Sequence, residues 1–176
     1  MNDPNELSWA FDKLAKGRNV VVVKADNTRH QDEIPTVNTD WWNYGGITRD
    51  VLLAELPATY IADYKVQLAK GDAHRIEGFI QMAGEAKAQQ VTVAIPEAGI
   101  KATVRTDANG RAALDIPVDK LVYWSPEQPK LYSVELSGGG DKVTDRIGFR
   151  TIETRGQDIL LNGKSVFLRG ISMHEE

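Results

Sequence analysis

Residues 64–82 read YKVQLAKGDAHRIEGFIQM. Apolar and polar side chains alternate on both sides of Lys70-Gly71-Asp72, whose composition is typical of a turn. A period of two places every second side chain on one face, so the stretch predicts two half-buried strands joined by a hairpin. The same alternation returns along the chain at Val91, Val93 and Ile95, at Ile100, Ala102 and Val104, at Ala112, Leu114 and Ile116, at Tyr132, Val134 and Leu136, and at Ile147 and Phe149.

Turn sequences separate these runs and divide residues 61–153 into about seven strands. The turns are Ala83-Gly84-Glu85, Glu97-Ala98-Gly99, Asp107-Ala108-Asn109-Gly110 and Gly138-Gly139-Gly140. Strands at a spacing of about 8–12 residues are typical of an antiparallel β-sandwich, and roughly 90 residues suit an immunoglobulin-like one. The sequence has no cysteine, which excludes the disulfide-bonded antibody version but not the architecture.

Shorter pieces flank this predicted sandwich. Upstream, Asn19–Lys24 and Thr48–Leu56 are predicted strands, too few to close a sandwich, so this piece is expected to be the end of a larger β-domain. Downstream, Asp158–Leu161 and Ser165–Leu168 flank Asn162-Gly163, the strongest short hairpin signal. We therefore predict an all-β chain with one complete sandwich, a partial β-domain before it and a C-terminal β-hairpin after it.

Composition excludes several classes of function. The chain has 176 residues, 21 Lys and Arg against 25 Asp and Glu, and a formal net charge of −4. This mild acidity argues against nucleic acid as a partner. No apolar run is longer than the four residues of Val20–Val23, which is too short to span a membrane. The absence of cysteine excludes disulfides, thiolate zinc sites and thiol nucleophiles.

The segment from Asp40 to Gly46 packs a carboxylate, an amide and three aromatic side chains into seven residues, Asp-Trp-Trp-Asn-Tyr-Gly-Gly. Aromatic faces stack on sugar rings while carboxylates and amides bind hydroxyls, so the segment fits a polar-ligand site. The alternative is a loop that its aromatic side chains pin to the domain beneath, and composition alone favours that alternative.

The histidines give no metal or triad motif. His174-Glu175-Glu176 begins like a zinc-protease helix motif, but the chain ends before a second histidine and the preceding residues are predicted to be extended. His30 and His74 lie in polar stretches and are expected to be exposed titrating groups. The sequence contains no Gly-x-Ser-x-Gly elbow for a Ser-His-Asp triad.

Three stretches, taken in order, resemble glycoside hydrolase family 2, the β-galactosidase and β-glucuronidase group. Residues 40–51 resemble the end of the family's N-terminal jelly-roll domain. Residues 121–132 resemble its Trp-Ser-Pro-Glu-x-Pro-x-Leu-Tyr motif. Residues 147–153, 161–164 and 168–175 resemble the passage into its catalytic barrel. The resemblance implies a sugar-binding jelly-roll end at 1–60, the sandwich at 61–153 and a truncated TIM-barrel start at 154–176.

The resemblance also implies a catalytic mechanism and implies that this chain lacks the residues that carry it out. Family members are retaining glycosidases in which two glutamates, about 5–5.5 Å apart, hydrolyse the bond. Both lie beyond the position that matches Glu176, so we expect the chain to carry no catalytic residue and to be inactive alone. The parent enzyme is expected to hydrolyse terminal β-linked sugars, with β-galactosides first. The Asn43-Tyr44 form is closer to the glucuronidase-like members.

Two positions match family residues near the sugar. Asp40 is expected to contact substrate hydroxyls and to help ligate a sodium ion in the parent. His174 follows the first barrel strand and is expected to lie close to the sugar. Arg49 and Trp124 match positions that we interpret as structural.

The remaining expectations concern cofactors, partners and location. The fragment itself is expected to need no cofactor, whereas the intact parent could use Na or Mg. The expected partner is a carbohydrate substrate, and the parent is expected to be a homo-oligomer. Its compartment stays open between bacterial cytoplasm and periplasm. The alternative function is a free-standing carbohydrate-binding or interaction β-sandwich module, which the Trp41-Trp42-Tyr44 cluster would support.

Overall fold

A computed structural model describes residues 16–26, 28, 30–32, 37, 45–47, 50–85 and 87–172. The chain divides into two compact units. One is Leu53–Ser172, and the other is Met1–Leu52 together with Met173–Glu176.

Every strand among the described residues lies in the unit Leu53–Ser172, and every pair is antiparallel. The strands are β1 Thr59–Ala69, β2 Asp72–Gly84, β3 Gln90–Ile95, β4 Ile100–Arg105, β5 Arg111–Pro117, β6 Tyr132–Gly138, β7 Asp141–Ile147, β8 Ile152–Arg155, β9 Asp158–Leu161 and β10 Lys164–Val166. One 3₁₀ turn, Pro96–Ala98, joins β3 to β4. The all-β prediction is confirmed.

The first seven strands form two sheets that share one core. Their orders are β1-β2-β5 and β4-β3-β6-β7. Seven strands between Thr59 and Ile147 match the number predicted from the alternation, and the predicted turn sequences lie at or between the strand ends. The run predicted at Ile147 and Phe149 is corrected, because the seventh strand is Asp141–Ile147 and Phe149 lies in the segment after it. The fold is thus an antiparallel β-sandwich, while the finer immunoglobulin-like label stays a prediction.

The sandwich core consists of the side chains at the alternating apolar positions. Side chains from both inner faces are fully buried, and the largest of them are Phe149, Ile76, Ile80, Met82, Ile95, Leu136, Val91, Val93 and Val134. Burying one such side chain contributes about 1.5–3 kcal/mol before entropy is counted. The period of two therefore explains both the strands and the position of the core.

Two carboxylates of β7 connect the edges of the two sheets. The backbone N–H of Ile61 on β1 donates to Asp141 Oδ2 at 2.9 Å. The hydroxyl of Tyr64 donates to Asp145 Oδ2 at 2.9 Å. Burial first, and then the hydrogen bond to Asp145, raises the pKa of Tyr64 to about 12. Both bonds hold β1 against β7, the edge strand of the other sheet.

A third sheet follows the sandwich, in the order β10-β9-β8. Asn162 and Gly163 join β9 to β10 with φ of 50° and 76°. Two consecutive positive φ values are those of a type I′ turn, which Asn-Gly favours. The predicted hairpin is confirmed, with β10 ending at Val166 rather than Leu168.

The strands predicted upstream are wrong for the residues that the structure describes there. Residues 18–26 and 50–57 carry no strand, and Val20–Val23 are 43–87% exposed. An apolar run becomes a strand only where a neighbouring strand pairs with its backbone, and no described segment pairs with either run. Thr48 and Arg49 lie outside the described residues. His30 and His74 are exposed, as expected.

Candidate functional site

Residues from two of the three stretches that carry the family resemblance meet at one place, which we call the Trp124 junction and define as Trp124, residues 148–151 and Asn162. The Trp124 N–H donates to the carbonyl of Phe149 at 2.8 Å. The Asn162 side-chain amide donates to the carbonyl of Trp124 at 3.0 Å. Its Oδ1 accepts from the N–H of Thr151 at 3.0 Å. Asn162 thus ties the β9–β10 turn to the loop before β6 and to the segment after β7.

Gly148 is the position where the junction leaves no room for a side chain. A Cβ on Gly148 would lie 2.9 Å from two ring carbons of Trp124 and 3.0 Å from its Cβ. On the same indole, the guanidinium of Arg150 lies 5.3 Å from the ring centre, within cation–π range. The indole therefore packs against backbone at Gly148 and against a cation at Arg150.

The loop that follows Trp124 is a closed turn. The N–H of Ser125 donates to the carbonyl of Gln128 at 3.0 Å, and the N–H of Gln128 donates back at 3.1 Å. The Gln128 N–H also reaches Ser125 Oγ at 3.1 Å. The backbone N–H of Glu127, followed by the Ser125 hydroxyl, lowers the pKa of the Glu127 carboxyl. The polar residues of the motif are thus used to shape the turn.

Two tyrosines hold the same loop to the sandwich. Tyr132 is buried, and its hydroxyl oxygen accepts the N–H of Val122 at 2.9 Å. The hydroxyl of Tyr123 donates to the carbonyl of Ala73 on β2 at 3.1 Å. The Tyr132 ring lies 5.8 Å from that of Phe149 in a tilted arrangement. These contacts anchor both ends of the turn to the core, so the Trp124 junction is a structural site.

A family model described as Glycosyl hydrolases family 2 matches residues 52–150, more than half of the chain, including Trp124 and Gly148. The chain belongs to glycosyl hydrolase family 2. A putative β-glucuronidase from Formosa agariphila is 30% identical over 178 residues, covering 93% of this chain and 21% of that protein. A β-galactosidase from Arthrobacter sp. (strain B7) is 28% identical over 177 residues, covering 97% of this chain and 16% of that protein.

A solved structure gives the same fold. The β-galacturonidase of Eisenbergiella tayi, bound to galacturonate, is 29% identical, with a TM-score of 0.59 over 80% of this chain and 27% of its own. The chain spans about a fifth of the length of the curated relatives that it matches.

The structure also places a shallow groove of about 360 Å³ on the outer face of sheet β1-β2-β5. The guanidinium of Arg111 lies 3.8 Å above the ring of Phe79 there. The one carboxylate lining it, Glu77, accepts a hydrogen bond from Gln67 at 3.0 Å. Retaining glycosidases of family 2 need two carboxylates at one bond, so this groove does not supply that chemistry.

The predicted sugar-contacting residues of this family 2 chain, Asp40 and His174, lie outside the described residues, as does the segment Trp41–Tyr44. Their roles stay predictions. Among the described residues, no group of three or more His, Asp or Glu side chains could hold a metal ion. Nor does the described part of the chain contain a helix of the length and apolarity needed to cross a membrane.

Sequence reasoning found the motif residues but not how they meet. The sequence indicates a structural role for Trp124, which its contacts support, and places Asn162 only in a turn. Nothing in the sequence indicates that Asn162 would reach Trp124, 38 residues away. Only the packing of β8–β10 beside the loop brings the two together.

Proposed function

We propose that this chain is a non-catalytic part of a retaining β-glycosidase of family 2 and that it orients the segment that follows the sandwich. The observation that carries the proposal is the Trp124 junction. It links the sandwich, the Trp-Ser-Pro-Glu turn and the β9–β10 hairpin through Asn162. Because the Asn162 amide hydrogen-bonds backbone groups of both neighbouring segments, the hairpin has a preferred orientation on the sandwich, unlike a segment at the end of a free linker.

The third sheet supports a role as a spacer between larger parts. Within this sheet Ile152 is 66% and Ile159 is 37% exposed, and Phe167 at 85% and Ile171 at 86% follow β10. Cross-strand pairing puts Ile152 with Leu161, and Val166 with Ile159, on one face. A connected apolar face of this kind normally packs against another layer. We propose that the catalytic barrel implied by the resemblance supplies that layer.

The reaction that we propose for the whole protein is hydrolysis of a terminal β-linked sugar with retention. β-Galactosides are the leading substrate class from the sequence. β-Glucuronides are the second candidate, favoured by the Asn43-Tyr44 form and by the 30% identity to a protein named a putative β-glucuronidase. We further propose that Asp40 and His174 contact the sugar and that Asp40 helps ligate sodium. The proposed assembly of the whole protein is a homo-oligomer.

The first experiment is to read the gene beyond the codon for Glu176. We expect alternating strands and helices that carry an Asn-Glu pair and a later Glu, each at a strand end. A stop codon at that point would contradict the proposed glycosidase and would favour a free-standing carbohydrate-binding module.

The second experiment compares the chain with the extended gene product on chromogenic β-galactosides and β-glucuronides. We expect the chain alone to release no more chromophore than buffer. In the extended product, Asp40→Ala should lower kcat/KM by about 10²-fold or more, the scale on which lost positioning acts. The matched control is Asp119→Ala, an exposed aspartate just after β5, which should leave kcat/KM unchanged. Equal effects of the two substitutions would refute the role of Asp40.

A further inference from the structure

The outer face of sheet β4-β3-β6-β7 carries a group of positive charges. Lys101 and Arg105 extend from β4, and Lys142 and Arg146 extend from β7, all four exposed. We call this surface the cationic face. Between the four cations lie hydroxyl side chains, which are Thr92, Thr103, Ser133, Ser137 and Thr144.

Strand alternation and register explain why these residues share a face. On β4 the half-buried side chains Ile100, Ala102 and Val104 alternate with exposed Lys101, Thr103 and Arg105. The register aligns Thr103 with Thr92, Thr92 with Ser137, and Ser137 with Lys142 in one row across all four strands. The cations therefore occupy the two edge strands, and hydroxyls occupy the centre.

The charge of this face opposes that of the whole chain, whose formal net charge is −4. One carboxylate, Glu135, shares the face and pairs with Lys142 at 2.8 Å. At its end, Glu97 pairs with Lys130, and that hydrogen bond first, with a smaller contribution from the charge of Arg146, lowers the pKa of the Glu97 carboxyl. Within the part of the chain that the structure describes, Lys101 and Arg105 form no ion pair. By contrast, the outer face of β1-β2-β5 pairs Arg75 with Asp115.

The spacing of the cations selects the shape of a ligand. Lys101 and Arg105 stand four residues apart on β4, roughly 13 Å along the strand. From β4 to β7 there are three strand spacings, roughly 14 Å. These separations exceed the Debye length of about 8 Å at physiological salt, so the cations act as separate contacts. A small anion reaches one of them, whereas an extended polyanion reaches several.

We propose that the cationic face binds an extended anionic polysaccharide, with carboxylates or sulfates along its length. Hydroxyl side chains between the cations can hydrogen-bond sugar hydroxyls. The face presents no aromatic side chain on which a nucleic-acid base could stack. The choice of a carbohydrate over another polyanion rests on the proposed glycosidase function. Such a surface would hold polymeric substrate beside the enzyme independently of its catalytic site.

The test is affinity electrophoresis of the full 176-residue chain in gels that contain polygalacturonate, a sulfated galactan or a neutral galactan. We expect both anionic polymers to retard the chain and the neutral one not to. Lys101→Glu with Arg105→Glu should weaken the retardation about tenfold or more. Lys65→Glu with Lys70→Glu makes the same charge change at exposed sites away from the face and should weaken it less than threefold. Raising salt should weaken binding by the wild type.

Several results would overturn the proposal. They are no retardation by either anionic polymer, equal losses in the two double variants, and equally tight binding of duplex DNA at the same charge concentration. Circular dichroism and thermal melting check the fold of each variant. Lys101→Gln with Arg105→Gln repeats the test if the charge reversal unfolds the chain.

The binding assay requires no hydrolysis, so its result can be distinguished from a test of the proposed glycosidase function. An extended gene product that cleaves no glycoside would refute the glycosidase, while polymer retardation would still be measured on the chain itself.

Discussion

Asn162 holds the Trp124 junction through both ends of its side-chain amide, and substituting it separates hydrogen bonding from backbone conformation. Asn162→Gly removes the bonds to Thr151 and Trp124, each 3.0 Å long, and keeps the positive φ of 50° at no steric cost. Each neutral bond contributes about 1 kcal/mol, so opening of the junction should become about 2 kcal/mol easier. Asn162→Ala should make opening of the junction easier by about 1 kcal/mol more, because alanine has a Cβ that disfavours the left-handed conformation.

Hydrogen exchange at the backbone amide of Trp124 measures this opening. That amide donates to Phe149, a bond that neither substitution removes directly. Exchange should accelerate about 30-fold in Asn162→Gly and about 150-fold in Asn162→Ala, because each 1.4 kcal/mol is tenfold. Asn109→Ala, a turn asparagine between β4 and β5, is the control and should leave the Trp124 rate unchanged.

Two results would refute this account of the junction. If all three variants exchanged within twofold of the wild type, the Asn162 side chain would not hold it. If Ala and Gly accelerated exchange equally, the positive φ at the turn would carry no cost.

Three further substitutions test other parts of the fold. Gly148→Ala should lower the free energy of unfolding, measured in urea, by about 1–3 kcal/mol, because the new Cβ would lie 2.9 Å from the Trp124 ring. The control is Gly170→Ala, whose Cβ would meet nothing within 4 Å and which should change stability by less than about 0.5 kcal/mol. Tyr64→Phe should cost about 1 kcal/mol at pH 9. Because the folded pKa of about 12 lies above the ordinary tyrosine value of 10.0, the difference in unfolding midpoint is full below pH 10 and should shrink as pH rises through 12. A constant difference would contradict the assignment. Phe167→Ser should reduce dye binding and self-association measured by light scattering, since this side chain, just after β10, is 85% exposed. Unchanged scattering would show that Phe167 does not contribute to self-association.

The sandwich was predictable because its information is local. Alternation identifies a strand from its own residues, and a turn sequence such as Asp107–Gly110 identifies its end. The I′ hairpin at Asn162-Gly163 follows from the same logic, since positive φ at both positions favours those two residues. The upstream strand prediction was wrong, because Val20–Val23 are as apolar as a strand requires but no described segment pairs with them.

The motif residues identify the family for reasons of packing rather than of chemistry. Position 148 requires glycine because the Trp124 ring occupies the place of a Cβ. Asn162 suits its position because asparagine tolerates a positive φ and its amide both donates and accepts a hydrogen bond. Such residues indicate which relatives share the junction. The residues expected to touch sugar, Asp40 and His174, lie outside the described residues, so their roles stay predictions while the packing of the junction accounts for the structural part of the motifs.

The cationic face shows how strand order adds information that alternation lacks. Alternation alone assigns Lys101 and Arg105 to the solvent side of β4, and Lys142 and Arg146 to the solvent side of β7. It does not indicate that β3 and β6 lie between these strands or that the four cations share one face. Pairing of β3 with β6, two strands that are not neighbours in sequence, brings residues about 40 positions apart onto one surface. Local pattern decides which side chains face outward, and the order of strands decides which of them can bind one ligand together.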